Sequence, residues 1–266
     1  MPREAVLSVI QVYPRPTKND TIEVVRRLAL NLRSPDIVLL PEYLMLDPTG
    51  LSREEVARVA EPLDGPWIAE FQKIAEETGS CVATHMFEEA PEGKVYNSLV
   101  LIGRDGGIIG VYRKTHLFDA YTYRESSVTD PGHKLFEPID ACGVKLGVAI
   151  CYELRFPEVF RAQALRGAEV MLVPAAWYRG PGKEEALRVL AQARSHENGF
   201  YTLLASNPGE RFVGRSMIVN PWGVVVAEAG WGERVLEYIA DLGEVERARS
   251  TIPVLRHLRR DLYPVP

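Results

Sequence analysis

Residues 145–158 read KLGVAICYELRFPE, and this stretch carries most of the information about the fold. A short apolar run with β-branched residues ends at Cys151, and Pro157 follows where a helix would begin. The pattern predicts a buried strand, a turn that carries the cysteine, and then a helix. Nearby backbone N–H groups and helix-terminal dipoles would favour a thiolate there and could hold an oxyanion. Cys151 is therefore a candidate nucleophile, and a buried, inert cysteine is the ordinary alternative.

Strands and helices alternate along the rest of the chain. Hydrophobic periodicity predicts strands at 5–11, 36–40, 81–87, 96–102, 108–113, 144–150, 170–173, 201–205, 212–220, 224–228 and 234–239, and helices at 20–32, 68–78, 157–166 and 184–197. The glycine-rich residues 103–110 predict a hairpin turn and not a phosphate-binding loop, because a strand follows them. No repeat or low-complexity linker divides the pattern. We predict one domain over residues 1–266, with an α/β layered sandwich fold.

Composition limits the classes of function. Hydrophobic residues form 46% and charged residues 25% of the 266, as in a globular protein with a sizeable core. The net charge of −5 comes from mixed charges, which argues against a nucleic-acid surface, and no apolar stretch approaches transmembrane length. The three cysteines, Cys81, Cys142 and Cys151, show no CxxC spacing, which indicates neither a disulfide framework nor a zinc site. We expect a cytoplasmic protein that binds neither membrane nor nucleic acid.

Two further polar residues follow predicted strands. Glu42 comes directly after the apolar run at 36–40, and Lys114 comes directly after the strand at 108–113. Ligand crevices in α/β proteins form outside strand ends, so Glu42, Lys114 and Cys151 could share one site. A carboxylate with a pKa raised by burial can deprotonate a thiol, and an ammonium can stabilise an oxyanion. Taken singly, a surface glutamate and a solvated lysine remain the ordinary alternatives.

Three sequence blocks together resemble the catalytic blocks of the nitrilase superfamily of carbon–nitrogen hydrolases. They read LLPE at 39–42, RKTHLFD at 113–119 and ICYELRFPE at 150–158, in the order that the family has. Shorter agreements extend the similarity over nearly the whole chain: YNS at 96–98, GAEVMLVP at 167–174, ARSHEN at 193–198, and the spaced glycine, serine and proline positions at 214–223.

The resemblance implies a fold, a set of site residues and an assembly. The fold would be a four-layer α-β-β-α sandwich with two mixed β-sheets. Cys151 would be the nucleophile, Glu42 the general base and Lys114 the oxyanion stabiliser, supported by Glu125 and by the backbone N–H of Tyr152. The family forms homodimers through its outer helices, often with a C-terminal arm that would start here at about residue 242.

The resemblance also implies a reaction. A short aliphatic amide would be hydrolysed to a carboxylate and ammonia through a cysteine thioester, with no metal or organic cofactor. Tyr152 and the block around it are most similar to omega-amidase and deaminated-glutathione-amidase-like members, which suggests a substrate with a distal carboxylate. Arg155 is a candidate partner for that carboxylate, and a salt bridge to Glu153 or Glu158 is the alternative.

Several alternatives stay open at this point. Tyr43 and Trp177 either line the substrate pocket or pack in the core. The reaction could also be that of an N-carbamoyl amino acid amidohydrolase, a nitrilase or an acyltransferase, or the chain could be an inactive binding scaffold. A papain-like pair would use His116 or His196, but no local pattern supports it. The five histidines, His85, His116, His133, His196 and His257, are too scattered to indicate a metal site. They are interpreted as surface or hydrogen-bonded structural residues, with His116 next to the site.

Apolar residues on the predicted helices at 157–166 and 184–197 suggest a subunit contact. They occupy more than one helical face, at Val159, Phe160, Leu165, Leu187 and Leu190. A second apolar face on a surface helix is typical of a subunit interface, which also predicts at least a homodimer.

Overall fold

A computed structural model describes residues 3–121 and 123–262. Its strands are β1 Glu4–Gln11, β2 Ile37–Leu39, β3 Cys81–Glu89, β4 Val95–Ile102, β5 Ile108–Arg113, β6 Asp119–Ala120, β7 Tyr123–Arg124, β8 Thr129–Asp130, β9 Ile139–Ala141, β10 Val144–Val148, β11 Val170–Ala175, β12 Tyr201–Ser206, β13 Met217–Val219, β14 Val225–Glu228 and β15 Arg234–Asp241. Its α-helices are α1 Lys18–Ala29, α2 Arg53–Ala57, α3 Pro66–Thr78, α4 Pro157–Leu165, α5 Lys183–Asn198 and α6 Gly243–Thr251.

Two mixed sheets form the centre of the molecule. In the described part of the chain, the first sheet has the order β15-β1-β2-β3-β4-β5, with β8 beside β4, and the second has the order β14-β13-β12-β11-β10-β9. The inner strands β1, β2 and β3 of the first sheet pair in parallel, as do β10, β11 and β12 of the second. Antiparallel strands complete both sheets, so each sheet is mixed.

Helices cover the outer face of each sheet. Helices α1 and α3 pack on the first sheet, and α4 and α5 pack on the second, while β1 and β2 contact β12 across the interior. Side chains of β2 alternate accordingly: Leu39 lies in the core between the sheets, and Val38 lies in the core under the helices. Because both faces of β2 are buried, its sequence is continuously apolar. The four-layer α-β-β-α sandwich confirms the predicted fold class.

The two hairpins predicted from glycine-rich turns have different outcomes. The turn at 103–107 is confirmed as the link between β4 and β5, with Gly106 at φ +75°. The predicted strand at 212–220 is wrong in its first half, because β13 spans only Met217–Val219. Gly214 and Arg215 adopt φ angles of +64° and +59°, and two consecutive left-handed residues are incompatible with a strand.

The stretch at 145–158 folds largely as its sequence predicts. Strand β10 ends at Val148, a 3₁₀ turn spans Cys151–Arg155, and α4 begins at Pro157. Gly147 is required for packing, since a Cβ atom there would lie 2.4 Å from the sulfur of Met171 on the neighbouring strand. The strand is two residues shorter than predicted, and the turn that carries Cys151 is correspondingly longer.

A disulfide bond joins the two sheets, which the sequence interpretation did not foresee. Cys81 begins β3 in the first sheet, and Cys142 lies in the turn between β9 and β10 of the second. The sulfur atoms are bonded although the residues are 61 positions apart in sequence. The spacing of cysteines reports short-range motifs only, whereas this pair is brought together by the stacking of the sheets. Cys151 is the free cysteine.

The apolar helix residues that suggested a subunit contact lie inside the chain's own fold. Val159, Phe160 and Leu187 are buried in the core between the second sheet and its helices, and Leu190 packs against that core. For these four positions the interpretation as a second apolar face was therefore wrong, whereas the fifth, Leu165, is half-buried at the end of α4. The segment from about residue 242 begins as α6, which buries Val245 against the same core. None of the helices described is long and apolar enough to cross a bilayer.

The disulfide provides a test of the sandwich. Closing a loop of this length removes chain entropy from the unfolded state worth about 4 kcal/mol in the loop-entropy estimate. We expect Cys142→Ser to lower the melting temperature by several degrees, and dithiothreitol to lower wild type to the same value while leaving the variant unchanged. Thermal melting with and without reductant measures both. A wild-type melting temperature that does not change when reductant is added would contradict the disulfide bond.

Candidate active site

Three polar side chains meet where strands of the two sheets end. Glu42 follows β2, Lys114 directly follows β5, and Cys151 lies three residues beyond β10. All three line one cleft. The strands that precede Glu42 and Lys114 belong to the first sheet and the strand before Cys151 belongs to the second, so the cleft depends on how the sheets stack.

Glu42 is buried and is held at both carboxylate oxygens. Its Oε1 accepts from Nζ of Lys114 at 2.9 Å and from Nδ2 of Asn97 at 2.8 Å, and its Oε2 accepts from the backbone N–H of Ala176 at 2.9 Å. Asn207 Nδ2 donates to the Glu42 backbone carbonyl. The carboxylate is therefore fixed in position and direction by donors from both sheets.

Lys114 lies between two carboxylates. Its ammonium donates to Glu42 and to Glu125 Oε2, each at 2.9 Å, and all three side chains are only 1% exposed. Glu125 also accepts from the backbone N–H of Phe118 at 2.7 Å and from Asn97 Nδ2 at 2.8 Å. Nζ also lies 3.2 Å from Oε1 of Glu125. If the two oxygens of Glu125 share one N–H and Glu42 takes the second, the third N–H is left for a further acceptor.

The charges of this cluster set the pKa values of its members. Burial alone would raise the pKa of Glu42, but Lys114 and the Asn97 donor hold it below its usual value. Burial raises the pKa of Glu125, and the nearby charge of Glu42 raises it further. Burial opposes the charge of Lys114, yet the two carboxylates raise its pKa well above normal. The expectation that burial gives Glu42 a raised pKa was therefore wrong.

Cys151 occupies a strained and buried position. Its φ of +46° is unusual for a residue with a Cβ atom, and its side chain is almost fully buried. Burial, and then the negative charge of Glu42, raise the pKa of the thiol well above its usual value. The turn therefore does not favour a free thiolate as the sequence had suggested, and the thiol needs a base at the moment of reaction.

The carboxylate of Glu153 joins the turn of Cys151 to the segment that follows Lys114. Its Oε2 accepts from the backbone N–H of Ile150 at 2.7 Å. Its Oε1 accepts from the hydroxyl of Tyr112 at 2.7 Å and from the N–H and hydroxyl of Thr115 at 2.9 and 2.7 Å. The two segments therefore share one buried anchor.

Arg155 lies over the indole ring of Trp177. The guanidinium carbon is 3.9 Å from the ring centroid, and both residues line the cleft. Within residues 3–121 and 123–262, Arg155 forms no ion pair, so the alternative bridges to Glu153 and Glu158 are absent. Trp177 is fixed in turn, because its indole N–H donates to the carbonyl of Lys183 at 2.9 Å.

Aromatic side chains form the remaining walls of the cleft. Tyr43 and Tyr152, both predicted from the sequence, line it together with Phe118 and Tyr178. Phe118 meets Tyr152 edge to face, with ring centroids 5.1 Å apart. The cavity that these walls enclose is small, about 20 Å³. The eight predicted site residues thus come together, with Glu125 behind the wall in contact with Lys114.

The family model described as carbon-nitrogen hydrolase matches residues 15–250. The chain belongs to the carbon–nitrogen hydrolase family. Two curated relatives are deaminated glutathione amidases. The bovine protein is 33% identical over 97% of this chain and 83% of its own length. The protein of Escherichia coli O157:H7 is 32% identical over 84% of each chain.

Solved structures of this family have the same fold. A carbon–nitrogen hydrolase from Helicobacter pylori G27 matches with a TM-score of 0.89 and 27% identity, covering 98% of this chain and 97% of its own. Saccharomyces cerevisiae Nit3, a nitrilase superfamily member of branch 10, matches with a TM-score of 0.84 and 27% identity, covering 97% of both chains. These comparisons confirm the nitrilase superfamily resemblance drawn from the three sequence blocks.

The histidines of this carbon–nitrogen hydrolase take no part in a cysteine–histidine pair in the described structure. His116 is half-buried beside Glu153 and stacks on Phe156 at 4.2 Å, next to the site as predicted. His196 is exposed, and its hydrogen bond goes to the carbonyl of Trp222. His85 is fully buried, unlike the surface or hydrogen-bonded role expected of it. Among the described residues, no cluster of three or more histidine, cysteine or acidic side chains could hold a metal ion.

Sequence reasoning missed several residues of this site. Asn97 contacts both carboxylates, Glu153 anchors both turns, and Lys183 lines the cleft opening. Asn97 lies within a quoted family block, so a signal for it was present, but its contacts depend on the pairing of β3 with β4. Lys183 lies at the start of a helix, where the sequence shows only that the hydrophobic periodicity becomes helical and gives no sign of a site residue.

The shared anchor yields a prediction. Glu153→Gln keeps the shape but turns an NH₂ group towards backbone or hydroxyl donors, which costs about 1–3 kcal/mol of unfolding free energy. Hydrogen bonds hold the pKa of Glu153 below its usual value despite burial, so this stabilisation is present at neutral pH and is lost as pH falls through that lowered pKa. Urea unfolding at pH 7 and at a series of lower pH values measures both effects. The control is Glu158→Gln at an exposed position nearby, and equal stability of the two variants would contradict the anchor.

Proposed function

We propose that the protein hydrolyses a small aliphatic amide to a carboxylate and ammonia through a thioester on Cys151. One observation carries the proposal: a buried ammonium, Lys114, lies between two carboxylates beside the free thiol. Glu42 would act as general base, Lys114 would stabilise the oxyanion, and Glu125 would keep Lys114 charged and directed.

The first half of the reaction follows from the pKa directions. Glu42, whose pKa is lowered, is ionised at neutral pH and takes the proton of the Cys151 thiol as the sulfur attacks the carbonyl carbon. The developing oxyanion accepts from the remaining N–H of Lys114 and from the backbone N–H of Tyr152, in the first turn of the 3₁₀ helix. Glu42 then returns the proton to the leaving nitrogen, and ammonia departs.

The second half uses the same groups. Glu42 takes a proton from water, the hydroxide attacks the thioester carbonyl, and the same donors hold the oxyanion. Collapse of this intermediate releases the carboxylic acid and returns the proton to sulfur. A thiol with a raised pKa is regenerated in its neutral form. No step requires a metal ion or an organic cofactor.

The alternative reactions use the same thiol and differ in what enters the cleft. An N-carbamoyl amino acid amidohydrolase or a nitrilase would need a different acyl portion, and a nitrile must be hydrated first. An acyltransferase would pass the thioester to an amine instead of water. The assembled charges around Cys151 weigh against an inactive scaffold, because burying them would serve no binding role.

The cleft favours a short substrate with a distal carboxylate. Arg155 lines it without a carboxylate partner in the described structure, and its guanidinium carbon lies 3.9 Å from the ring centroid of Trp177. A guanidinium can bind a carboxylate through two parallel N–H donors. Lys183 adds a second positive charge at the same opening, with its ammonium 3.9 Å from the ring centroid of Tyr121. The curated relatives named as deaminated glutathione amidases support an amide that also carries a carboxylate as the substrate class.

The nucleophile is tested by its removal. We expect Cys151→Ala to abolish ammonia release from amides while the melting temperature changes little, because the thiol is the covalent partner in both halves of the reaction. Mass spectrometry of wild type quenched with substrate should detect an acyl adduct on Cys151. Ammonia release by the alanine variant at the wild-type rate would overturn the assignment.

The substrate class is tested with paired compounds. We expect an amide with a distal carboxylate to have a higher kcat/KM than its neutral analogue and than the matching nitrile. Arg155→Met should remove the advantage of the carboxylate, about tenfold or more, and leave the neutral amide nearly unchanged. Arg166→Met, at an exposed position just after α4, is the control. A nitrile that turns over faster than the amide would overturn the amidase assignment.

We also propose one domain that assembles as a homodimer through the outer helices, with the chain from about residue 242 reaching the partner. Val189 on α5 is half exposed and remains available for such a contact. Light scattering at micromolar concentration should give twice the mass of one chain, and a stable monomer would contradict the proposal. The cytoplasmic location stays a prediction, and the disulfide weighs against it because cytosolic thiols are usually reduced.

A further inference from the structure

Behind the carboxylates of the site lies a pair of buried polar side chains with no assigned role. His85 on β3 and Asn97 on β4 lie on the same face of an antiparallel pair, where Asn97 is opposite Phe87 and His85 is its diagonal neighbour. Both are fully buried. The ring of His85 packs against Phe87 and Tyr43, with centroids 5.1 and 5.8 Å away.

Asn97 reaches both carboxylates through a single atom, as Nζ of Lys114 also does. Its Nδ2 donates to Oε1 of Glu42 and to Oε1 of Glu125, each at 2.8 Å. An amide nitrogen has two hydrogens, so each carboxylate receives one and neither competes for the other. This arrangement works in one orientation of the amide only, since a flipped amide would direct its oxygen at two carboxylates.

Three atoms of the pair remain without a hydrogen bond in the described structure. They are both ring nitrogens of His85 and Oδ1 of Asn97. Buried polar atoms without partners are costly, and these three belong to neighbouring side chains that interact with each other. A ring N–H and an amide oxygen are complementary hydrogen-bonding groups.

We propose that His85 and Asn97 form a positioning unit, in which the imidazole N–H of His85 holds the Asn97 amide so that it donates to Glu42 and Glu125. The inference rests on the proposed role of Glu42 as the base. The unit touches neither substrate nor the reacting sulfur. Its effect is to keep Glu42 ionised and aimed, because hydrogen bonds to a carboxylate favour its charged form.

The protonation state of His85 agrees with this role. Burial lowers the pKa of His85 to about 4, so the ring is neutral at the pH of catalysis and carries one N–H and one bare nitrogen. Other groups also face Glu42, and any change in its pKa must be compared with theirs. They are the Lys114 ammonium from the end of β5, the Cys151 thiol from the end of β10, Glu125 from the segment after β7, and the more distant phenols of Tyr43 and Tyr178.

The experiment measures how Cys151 reactivity depends on pH, with and without the unit. Iodoacetamide alkylates a free thiol, and Cys81 and Cys142 are protected by their disulfide bond, so the reaction reports Cys151 without requiring a known substrate. In wild type, the rate should fall on the acid side as Glu42 becomes protonated. Amide turnover is measured over the same pH range where a substrate is found.

We expect Asn97→Leu to move that acid limb to higher pH by about one unit, because the pKa of Glu42 rises when the donor is lost. The kcat for amide turnover at neutral pH should fall about tenfold, with KM for the amide little changed. Asn97→Ser is the milder variant if the leucine variant does not fold. Ser98→Ala, a buried polar position on the same strand that faces away from the site and donates to Glu88, is the control and should leave the limb in place.

His85 is tested through its dependence on Asn97. His85→Phe keeps an aromatic ring but removes the N–H, so it should move the acid limb to higher pH by less than Asn97→Leu does. His85→Gln keeps an N–H donor, so it should return the limb most of the way to its wild-type position. The double variant with Asn97→Leu should match Asn97→Leu alone, since His85 acts through Asn97. Three results would each contradict the positioning unit. They are an acid limb that does not move in His85→Phe, an acid limb that does not move in Asn97→Leu, and a shift in the double variant equal to the sum of the two single shifts.

A further variant separates failure of this unit from failure of the proposed function. If Glu42→Gln removes the acid limb but Asn97→Leu does not move it, the positioning unit is wrong and the triad stands. If Glu42→Gln leaves the profile of alkylation unchanged, Glu42 is not the base, and the inference fails together with the proposed mechanism.

Discussion

The buried ammonium of Lys114 between Glu42 and Glu125 is the interaction on which the arrangement of the site depends. A charged amine taken out of water is costly unless carboxylates and hydrogen bonds surround it. Two carboxylates and one amine leave a net negative charge, which the backbone N–H of Ala176 and the amide of Asn97 help to balance. Replacing such a cluster with apolar residues is often neutral for stability, so the cluster is weak evidence of a stabilising role.

The cluster also explains why the molecule needs two stacked sheets. Glu42 and Lys114 come from the first sheet, whereas Cys151 and Ala176 come from strand ends of the second. The sheets are held in register by the apolar core between them and by the disulfide of Cys81. Residues Tyr43 and Cys151 adopt φ angles of +57° and +46° within this site. Such strain persists only where surrounding bonds over-determine the backbone, and here Glu153 and the donors to Glu42 supply those bonds.

The sequence was sufficient to predict the residues at strand ends, but it was insufficient to predict the contacts that form between strands. Apolar runs placed Glu42, Lys114 and Cys151 at strand ends, and the resemblance to the nitrilase superfamily then implied their roles. Asn97 could not be assigned a role, because its partners depend on strand pairing and on a loop 28 residues away in sequence. The disulfide bond was not predicted for the same reason, because its two cysteines come together only when the sheets stack. The direction of the Glu42 pKa was mistaken because burial was considered without the neighbouring ammonium, and burial and charge act in opposite directions there.

The charged groups of this cleft are held by two different kinds of contact. The deep half is fixed by hydrogen bonds from the strand ends of both sheets, so a change there alters every group at once. The opening is formed by Arg155 on Trp177 and by Lys183 beside Tyr121, which are held by ring contacts and one backbone hydrogen bond. Exchange of an opening residue removes a charge without disturbing the carboxylates. Under the proposed function, the groups that react and the groups that select the substrate can therefore change independently of each other.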